Sequence, residues 1–325
     1  MNIAFAGLRH AHIFVLLDMV KKHPDCTFAG AFEENSEARE AARSAGIDKW
    51  YNSLEELLCD PSVDAVALGG CYADRGETAI AALRAKKHVI ADKPLCTSLA
   101  QLDEIERLAR ENRRKVTVML TMRYEERIEA IRDLVMRGEL GDVNNVYFGG
   151  QHPLQYGRRP MWYFEDGRHG GTINDIAIHG IDILSFALGM KHFTVEAARC
   201  WNRFASEQPD FKDSAQFMLT AENGAGILAD VSYAIPDGIE FSLPMYWEYR
   251  IWGTGGVLEF SLGRKAVFYP KGRTAPVILE DKAVECDFLT DFIRLTEENP
   301  VRLTMEEALA STRSTLMIQA AADKH

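Results

Sequence analysis

Asp175, His179 and Asp182 stand four and then three residues apart in Gly170-Gly-Thr-Ile-Asn-Asp175-Ile-Ala-Ile-His179-Gly-Ile-Asp182-Ile-Leu. That spacing puts all three on one face of a helix. Ile173, Ile176, Ile178, Ile181, Ile183 and Leu184 make the rest of the helix apolar, which predicts burial. A polar stripe in a buried helix must be satisfied or functional. Imidazole titrates near neutral pH, and a neighbouring carboxylate fixes its tautomer and raises its basicity, as a general base requires. A core histidine tied to a carboxylate only to satisfy both groups is the competing reading.

Two further segments carry candidate chemistry. In His88-Val-Ile-Ala-Asp92-Lys93-Pro94-Leu95 a lysine follows a short apolar run, and Pro94 keeps Lys93 extended. An ammonium at the C-terminal edge of a parallel sheet can stabilise charge growing on a substrate oxygen. In Ile3-Ala-Phe-Ala-Gly7-Leu8-Arg9-His10-Ala11-His12 the chain turns where a dinucleotide fold carries Gly-x-Gly-x-x-Gly, but only Gly7 fits. Arg9 and His12 hold the other two glycine positions. Phe28-Ala-Gly-Ala-Phe-Glu33 then ends a second strand in a carboxylate, where a ribose diol is expected. Glu33 and Glu34 would repel a 2′-phosphate, which favours NAD over NADP. The pair His10-Ala-His12 also permits a metal-dependent hydrolase on a (β/α)₈ barrel, whose first strand ends in His-x-His.

The elements that position these residues fall into two halves. Asn2–Ala6, Thr27–Phe32, Val63–Leu68, His88–Ala91 and Lys115–Leu120 read as buried strands. His10–Lys22, Ser36–Ala45, Asp74–Ala85 and Ser98–Asn112 read as the helices between them, which makes βαβ units and a parallel sheet. After a helix over Tyr124–Arg137, strands follow closely at Asn144–Gln151, Phe193–Phe204, Ser214–Thr220, Gly226–Ala234, Met245–Trp252, Val257–Ser261 and Lys265–Tyr269. Ala221-Glu-Asn-Gly and Gly253-Thr-Gly-Gly are turn sequences of antiparallel hairpins. One helix, Thr172–Leu188, interrupts them, and two more, Ala283–Glu298 and Met305–Ala322, follow. The predicted fold class is α/β: an N-terminal Rossmann doubly wound parallel sheet plus a C-terminal α+β domain with a mostly antiparallel open sheet. A dinucleotide-binding domain is expected over 1–120 and a substrate-binding and oligomerisation domain over 121–325, the last helix being free to pack back on the first.

Composition bounds the partners. The chain has 325 residues, a formal charge of −11, 47% hydrophobic and 26% charged residues, a soluble globular profile. The acidic balance argues against nucleic acid or an anionic membrane, and no apolar run is long enough for a transmembrane helix. The first residues lack a basic n-region, so no signal peptide is expected. Six cysteines without a Cys-x-x-Cys pair suit reduced thiols in the cytoplasm.

Together these segments resemble the Gfo/Idh/MocA oxidoreductases, named for glucose–fructose oxidoreductase and inositol dehydrogenase. Asp92-Lys93-Pro94-Leu95 is similar to the family's Glu-Lys-Pro motif, with Asp for Glu. Thr121-Met-Arg123-Tyr124 resembles its Asn-Tyr-Arg-Phe segment, and Gly138-Glu-Leu-Gly141-Asp-Val the start of its second domain. Gly170-Gly-(x)₃-Asp175-(x)₃-His179-(x)₂-Asp182 is similar to its catalytic helix. The resemblance implies NAD-dependent oxidation of a secondary alcohol on a sugar, cyclitol or sugar acid. His179 would be the general base, Asp175 its partner or a ligand of a substrate hydroxyl, and Lys93 the group that polarises the substrate oxygen. Gly7, Leu8, Arg9, His10, Glu33, Gly69, Gly70, Asp92 and Lys93 would meet the cofactor; Arg123, His152, Trp162, Asp175 and His179 would meet the substrate. Trp162 suits a sugar ring, while Arg158 or Arg159 suits a carboxylate or phosphate. No metal is expected, and a homodimer or homotetramer would form through the C-terminal sheet. The degenerate glycine motif, and Gly69-Gly70-Cys71-Tyr72 where the family has Thr-Pro-Asn, keep a non-catalytic NAD-binding sensor as the rival.

Overall fold

The structure is a computed structural model and describes residues 1–239 and 243–324. The chain forms two compact units, one of 1–119, 160–170 and 287–312, the other of 120–159, 171–286 and 313–325.

In the first unit β1 (Asn2–Ala6), α1 (His12–Lys22), β2 (Thr27–Phe32), α2 (Ser36–Ser44), α3 (Leu54–Cys59), β3 (Ala65–Leu68), α4 (Tyr72–Arg84), β4 (His88–Ala91), α5 (Leu99–Glu111) and β5 (Val116–Val118) follow in order. Among the described residues these strands make a five-stranded sheet, β2-β1-β3-β4-β5, with every pairing parallel. β3 is buried along its whole length, as parallel strands covered on both faces are. Helix starts follow their caps: Asn35 accepts from Ala38 N at 2.9 Å, Ser53 from Glu56 N at 3.0 Å and Ser98 from Gln101 N at 3.2 Å. Helix α3 was not predicted, because six residues are too few to show a period.

The second unit holds α6 (Glu126–Met136), β6 (Val143–Pro153), α7 (Ile178–Leu188), β7 (Phe193–Trp201), β8 (Ser214–Ala221), β9 (Gly226–Ile235), β10 (Glu248–Gly253), β11 (Gly256–Ser261), β12 (Arg264–Pro270) and β13 (Val277–Ile278). Among the described residues its sheet has eight strands in the order β13-β12-β11-β10-β6-β9-β8-β7. Only β6 and β9 pair in parallel; the other described pairings are antiparallel. A mixed open sheet is incompatible with a (β/α)₈ barrel, so the barrel hydrolase reading of His10 and His12 falls. Helix α8 (Phe288–Thr296) begins at an Asp287 cap, five residues inside the predicted start, and α9 (Met305–Ala322) follows.

The expected helix over Thr172–Leu188 is two pieces. Ile173–Ala177 is a π-helical turn and α7 continues from it to a left-handed Gly189 with φ 74°. Gly180 lets this helix lie on the sheet, since a Cβ there would come within 2.2 Å of the Phe148 ring. Asp182 is buried and bonds Arg123, whose Nε donates to Oδ2 at 3.0 Å and whose Nη2 bonds Oδ1. Removing one partner of such a pair strands a buried charge. Asp182→Asn or Arg123→Met should therefore each cost about 3–5 kcal/mol in denaturant melts, and the double variant should cost less than the two single losses added.

Candidate functional site

The first unit gathers its candidate residues at the C-terminal ends of β1, β2, β3 and β4. Gly7 has φ 80°, and a Cβ there would sit 2.5 Å from Gly70 Cα and N, so the turn needs glycine on both counts. The loop is folded inward: Arg9 N and His10 N both donate to Gly69 O, at 2.9 and 3.1 Å. Leu8 N donates to Glu33 Oε2 at 2.6 Å, while Glu33 Oε1 accepts from Asn35 N at 2.8 Å. Beside this loop a groove of about 120 Å³ is lined by Gly7, Arg9, Glu33, Glu34, Gly70 and Asp74, among others. Burial pushes the Cys71 thiol on its wall up to about 11, so it is no thiolate nucleophile.

Asp92 and Lys93 follow β4, and the Lys93–Pro94 bond is cis. Arg75 of α4, fully buried, holds this turn: its Nη1 donates to the carbonyls of Asp92, Lys93 and Pro94 at 2.9, 2.6 and 3.1 Å. Its Nη2 reaches Asp92 Oδ2 at 3.0 Å and its Nε reaches Gly70 O at 2.9 Å. His10 Nδ1 also hydrogen-bonds Asp92 Oδ2. Burial alone would raise the Asp92 pKa, but His10 and Arg75 hold it well below the usual carboxylate range. Burial pushes His10 down to about 4 against the pull of Asp92, so His10 is neutral beside an ionised carboxylate.

Trp162 lies in this unit and not on an open substrate face. It is 1% exposed, packs with Cys71, Tyr72 and Tyr163, and its Nε1 donates to Arg9 O at 3.3 Å. Tyr72 and Tyr163 share a hydroxyl hydrogen bond of 2.5 Å. The flanking segment is tied to α4 by Ala73 N on Arg168 O, 3.1 Å, and by Arg168 on Asp74, 2.6 Å.

In the second unit Asp175 is 2% and His179 8% exposed. The Asp175 carboxylate accepts a hydrogen bond from the hydroxyl of Tyr233, on β9. The His179 ring stands edge-on to Trp247, centroids 5.7 Å apart at 82°. His152, at the end of β6, meets the same indole at 5.6 Å and 84°, and its Nε2 lies 3.3 Å from the Tyr246 hydroxyl. His152 therefore joins His179 around Trp247. Arg123 does not join them: it is buried on Asp182 and over the Phe186 ring. Arg159 donates to the carbonyls of Leu154 and Pro153 at 2.8 and 3.0 Å, whereas Arg158 is exposed. Tyr233, Tyr246 and Trp247, which touch Asp175, His152 and His179, were not singled out from the sequence. They lie on or beside predicted strands, where aromatic residues signal only packing.

Residues 1–120 match an oxidoreductase family with an NAD-binding Rossmann fold, and residues 128–259 match the GFO/IDH/MocA C-terminal domain. The chain belongs to the Gfo/Idh/MocA oxidoreductase family. Its first 120 residues are that family's NAD-binding Rossmann domain. Myo-inositol 2-dehydrogenase of Thermotoga maritima is 29% identical over 154 residues, covering 46% of this chain and 44% of the relative. Trans-1,2-dihydrobenzene-1,2-diol dehydrogenase of Sus scrofa is 27% identical over 189 residues, covering 58% and 55%. The chain thus spans about half the length of these curated relatives. A solved structure from Erwinia carotovora atroseptica, described as an oxidoreductase, superposes with a TM-score of 0.88 at 28% identity over 99% of this chain and 98% of that one. Among the described residues no helix is long and apolar enough to cross a membrane.

The His10 environment has a measurable signature. As pH falls below about 6.5 the unfolded chain binds a proton at this residue, and the folded chain refuses it until about 4. Stability should therefore rise with pH across that window by up to about 1.4 kcal/mol per pH unit from His10. His88, pushed down to about 4 by burial and then by Arg114, adds in the same direction. Denaturant melts between about pH 4.5 and 7 should show a shallower dependence in His10→Gln; an unchanged slope would contradict the assignment.

Proposed function

We propose that the chain is an NAD-dependent dehydrogenase acting on a secondary alcohol of a sugar, cyclitol or sugar acid. The observation that supports this most is the pair Asp175 and His179, two titratable groups buried on an apolar helix beside an indole. Buried titratable groups held together by specific partners are commonly found at catalytic sites. Two named relatives act on an inositol and a dihydrodiol, both compounds with adjacent hydroxyls on a ring.

The residues of the first unit fit the cofactor. Gly7 leaves room that a Cβ would fill, and Glu33 and Glu34 suit an unphosphorylated ribose. When bound, the nicotinamide accepts a hydride from the alcohol carbon. His179 takes the hydroxyl proton, with Asp175, anchored by Tyr233, holding a substrate hydroxyl or supporting the imidazole. Lys93, its backbone fixed by Arg75, stabilises charge on the substrate oxygen.

One observation favours a non-catalytic NAD-binding sensor instead. The amides of Leu8, Arg9 and His10 are already used within the protein, so they are not available to a pyrophosphate. Titration with NADH and NADPH, followed by energy transfer from tryptophan, addresses binding first; the dehydrogenase reading expects NADH to bind more tightly. With NADH binding retained, His179→Ala should lower kcat for a cyclitol or sugar substrate by about 10²–10⁴, and Lys93→Ala by about 10²–10³. Near-normal turnover in both variants would end this mechanism. No turnover across a polyol and sugar panel, with NADH bound, would favour the sensor.

The partner is proposed to be a second copy of the chain, through the open sheet. Met218, Leu228 and Trp252 are exposed together with Asn145, beside a half-buried Tyr147, along paired strands β8, β9, β6 and β10, an apolar patch of the kind that marks interfaces. Light scattering should give a dimer or tetramer, and Leu228→Glu should shift it to monomer.

A further inference from the structure

His10 and His12 flank Ala11 at the start of α1, and both imidazoles turn to one carboxylate. His10 Nδ1 bonds Asp92 Oδ2, and His12 Nδ1 lies 3.4 Å from the other oxygen, Oδ1. The two rings stand edge-on, with centroids 4.5 Å apart at 80°. One ligand atom from each of the three residues lies within 4.8 Å of the others. Ligands of one ion with bonds of about 2.0–2.2 Å lie no more than about 4.4 Å apart, so a small inward shift of the half-exposed His12 would let all three atoms reach it.

A second observation is independent of this spacing. Asp92 is fully buried, and its Oδ1 has no well-formed hydrogen bond, its nearest ring nitrogen being that of His12 at 3.4 Å. A buried anionic oxygen left so weakly held is costly. His10 and Arg75 account for Oδ2 only. A cation lying between Oδ1 and the two imidazoles would account for the remaining oxygen and for the inward turn of His12, whose side chain is otherwise half exposed.

We propose that His10, His12 and Asp92 form a site for a divalent transition-metal ion of the zinc class. Two imidazoles and one carboxylate suit Zn²⁺ or Co²⁺ better than Mg²⁺ or Ca²⁺, which take all-oxygen sets. Arg75 on Oδ2 fixes the carboxylate as a supporting residue does, while its charge opposes the ion and lowers the affinity. The third ligand exists because His12 stands where a dinucleotide-binding loop would carry its last glycine. The ion would clip that loop to the end of β4.

The test uses the full chain, freed of metal by a chelator and titrated with Zn²⁺ by calorimetry and with Co²⁺ by visible absorption. One ion per chain is expected, with Co²⁺ ligand-field bands. His12→Ala alters an exposed side chain and should leave the fold intact. It should weaken Zn²⁺ binding by at least about tenfold, since losing even a supporting partner costs 10–100-fold, and it should abolish the Co²⁺ bands. His10→Gln should do the same. Absence of stoichiometric binding, or binding that survives both substitutions, overturns the proposal. The readout is metal binding, so failure of the dehydrogenase reading would leave this result standing, and the reverse holds too.

Discussion

A guanidinium and a carboxylate buried together are the constraint on which the first unit depends. Arg75 and Asp92 are both sealed from solvent, and each is tolerable there only because the other is present. Arg75 distributes its donors over Gly70, Asp92, Lys93 and Pro94, so one side chain joins the loop after β3 to the turn after β4. Because Gly69 in turn accepts from Arg9 and His10, the ends of three neighbouring strands are held in one polar network. A rigid setting of this kind is what a positioned ammonium requires, since its electrostatic effect falls away with misplacement.

The fold was legible because it is written in local periodicity. Apolar runs alternating with amphipathic stretches gave the parallel sheet, and closely spaced strands with Gly-rich turns gave the mixed one. Boundaries moved by a few residues where a cap decided them, as at Asp287. The elements that escaped notice, Leu54–Cys59 and Val277–Ile278, are shorter than any period can reveal. Loop and site details fared differently, because their partners are distant in sequence. The spacing of Asp175, His179 and Asp182 showed a shared helix face, but nothing in it told that Asp175 would take Tyr233 while Asp182 took Arg123. Likewise the Gly7 motif showed a strained turn, without showing that its amides face Gly69 and Glu33.

Trp162 shows how a chemically suggestive residue can be claimed by packing. An indole in a loop before the helix of Asp175 and His179 suits a sugar ring, yet here it packs beside Tyr72, Tyr163 and Cys71, with its N–H on a backbone carbonyl. Large aromatic side chains gain so much from burial that a nearby apolar site competes strongly for them. The aromatic surface around His179 comes from Trp247, next to a strand that periodicity had assigned to the sheet alone.

The π-helical turn at Ile173–Ala177 has a consequence for reading relatives of this chain. Such a turn holds one residue more than an α-helical turn would, and it behaves as an insertion absorbed without breaking the helix. Deleting a single residue between Asp175 and His179 would restore regular geometry and leave the two three residues apart, about 60° around the helix where four residues give about 40°. They would still share a face, as His179 and Asp182 do. A gap of one position within this turn, in any pairwise comparison, therefore does not by itself part the two residues.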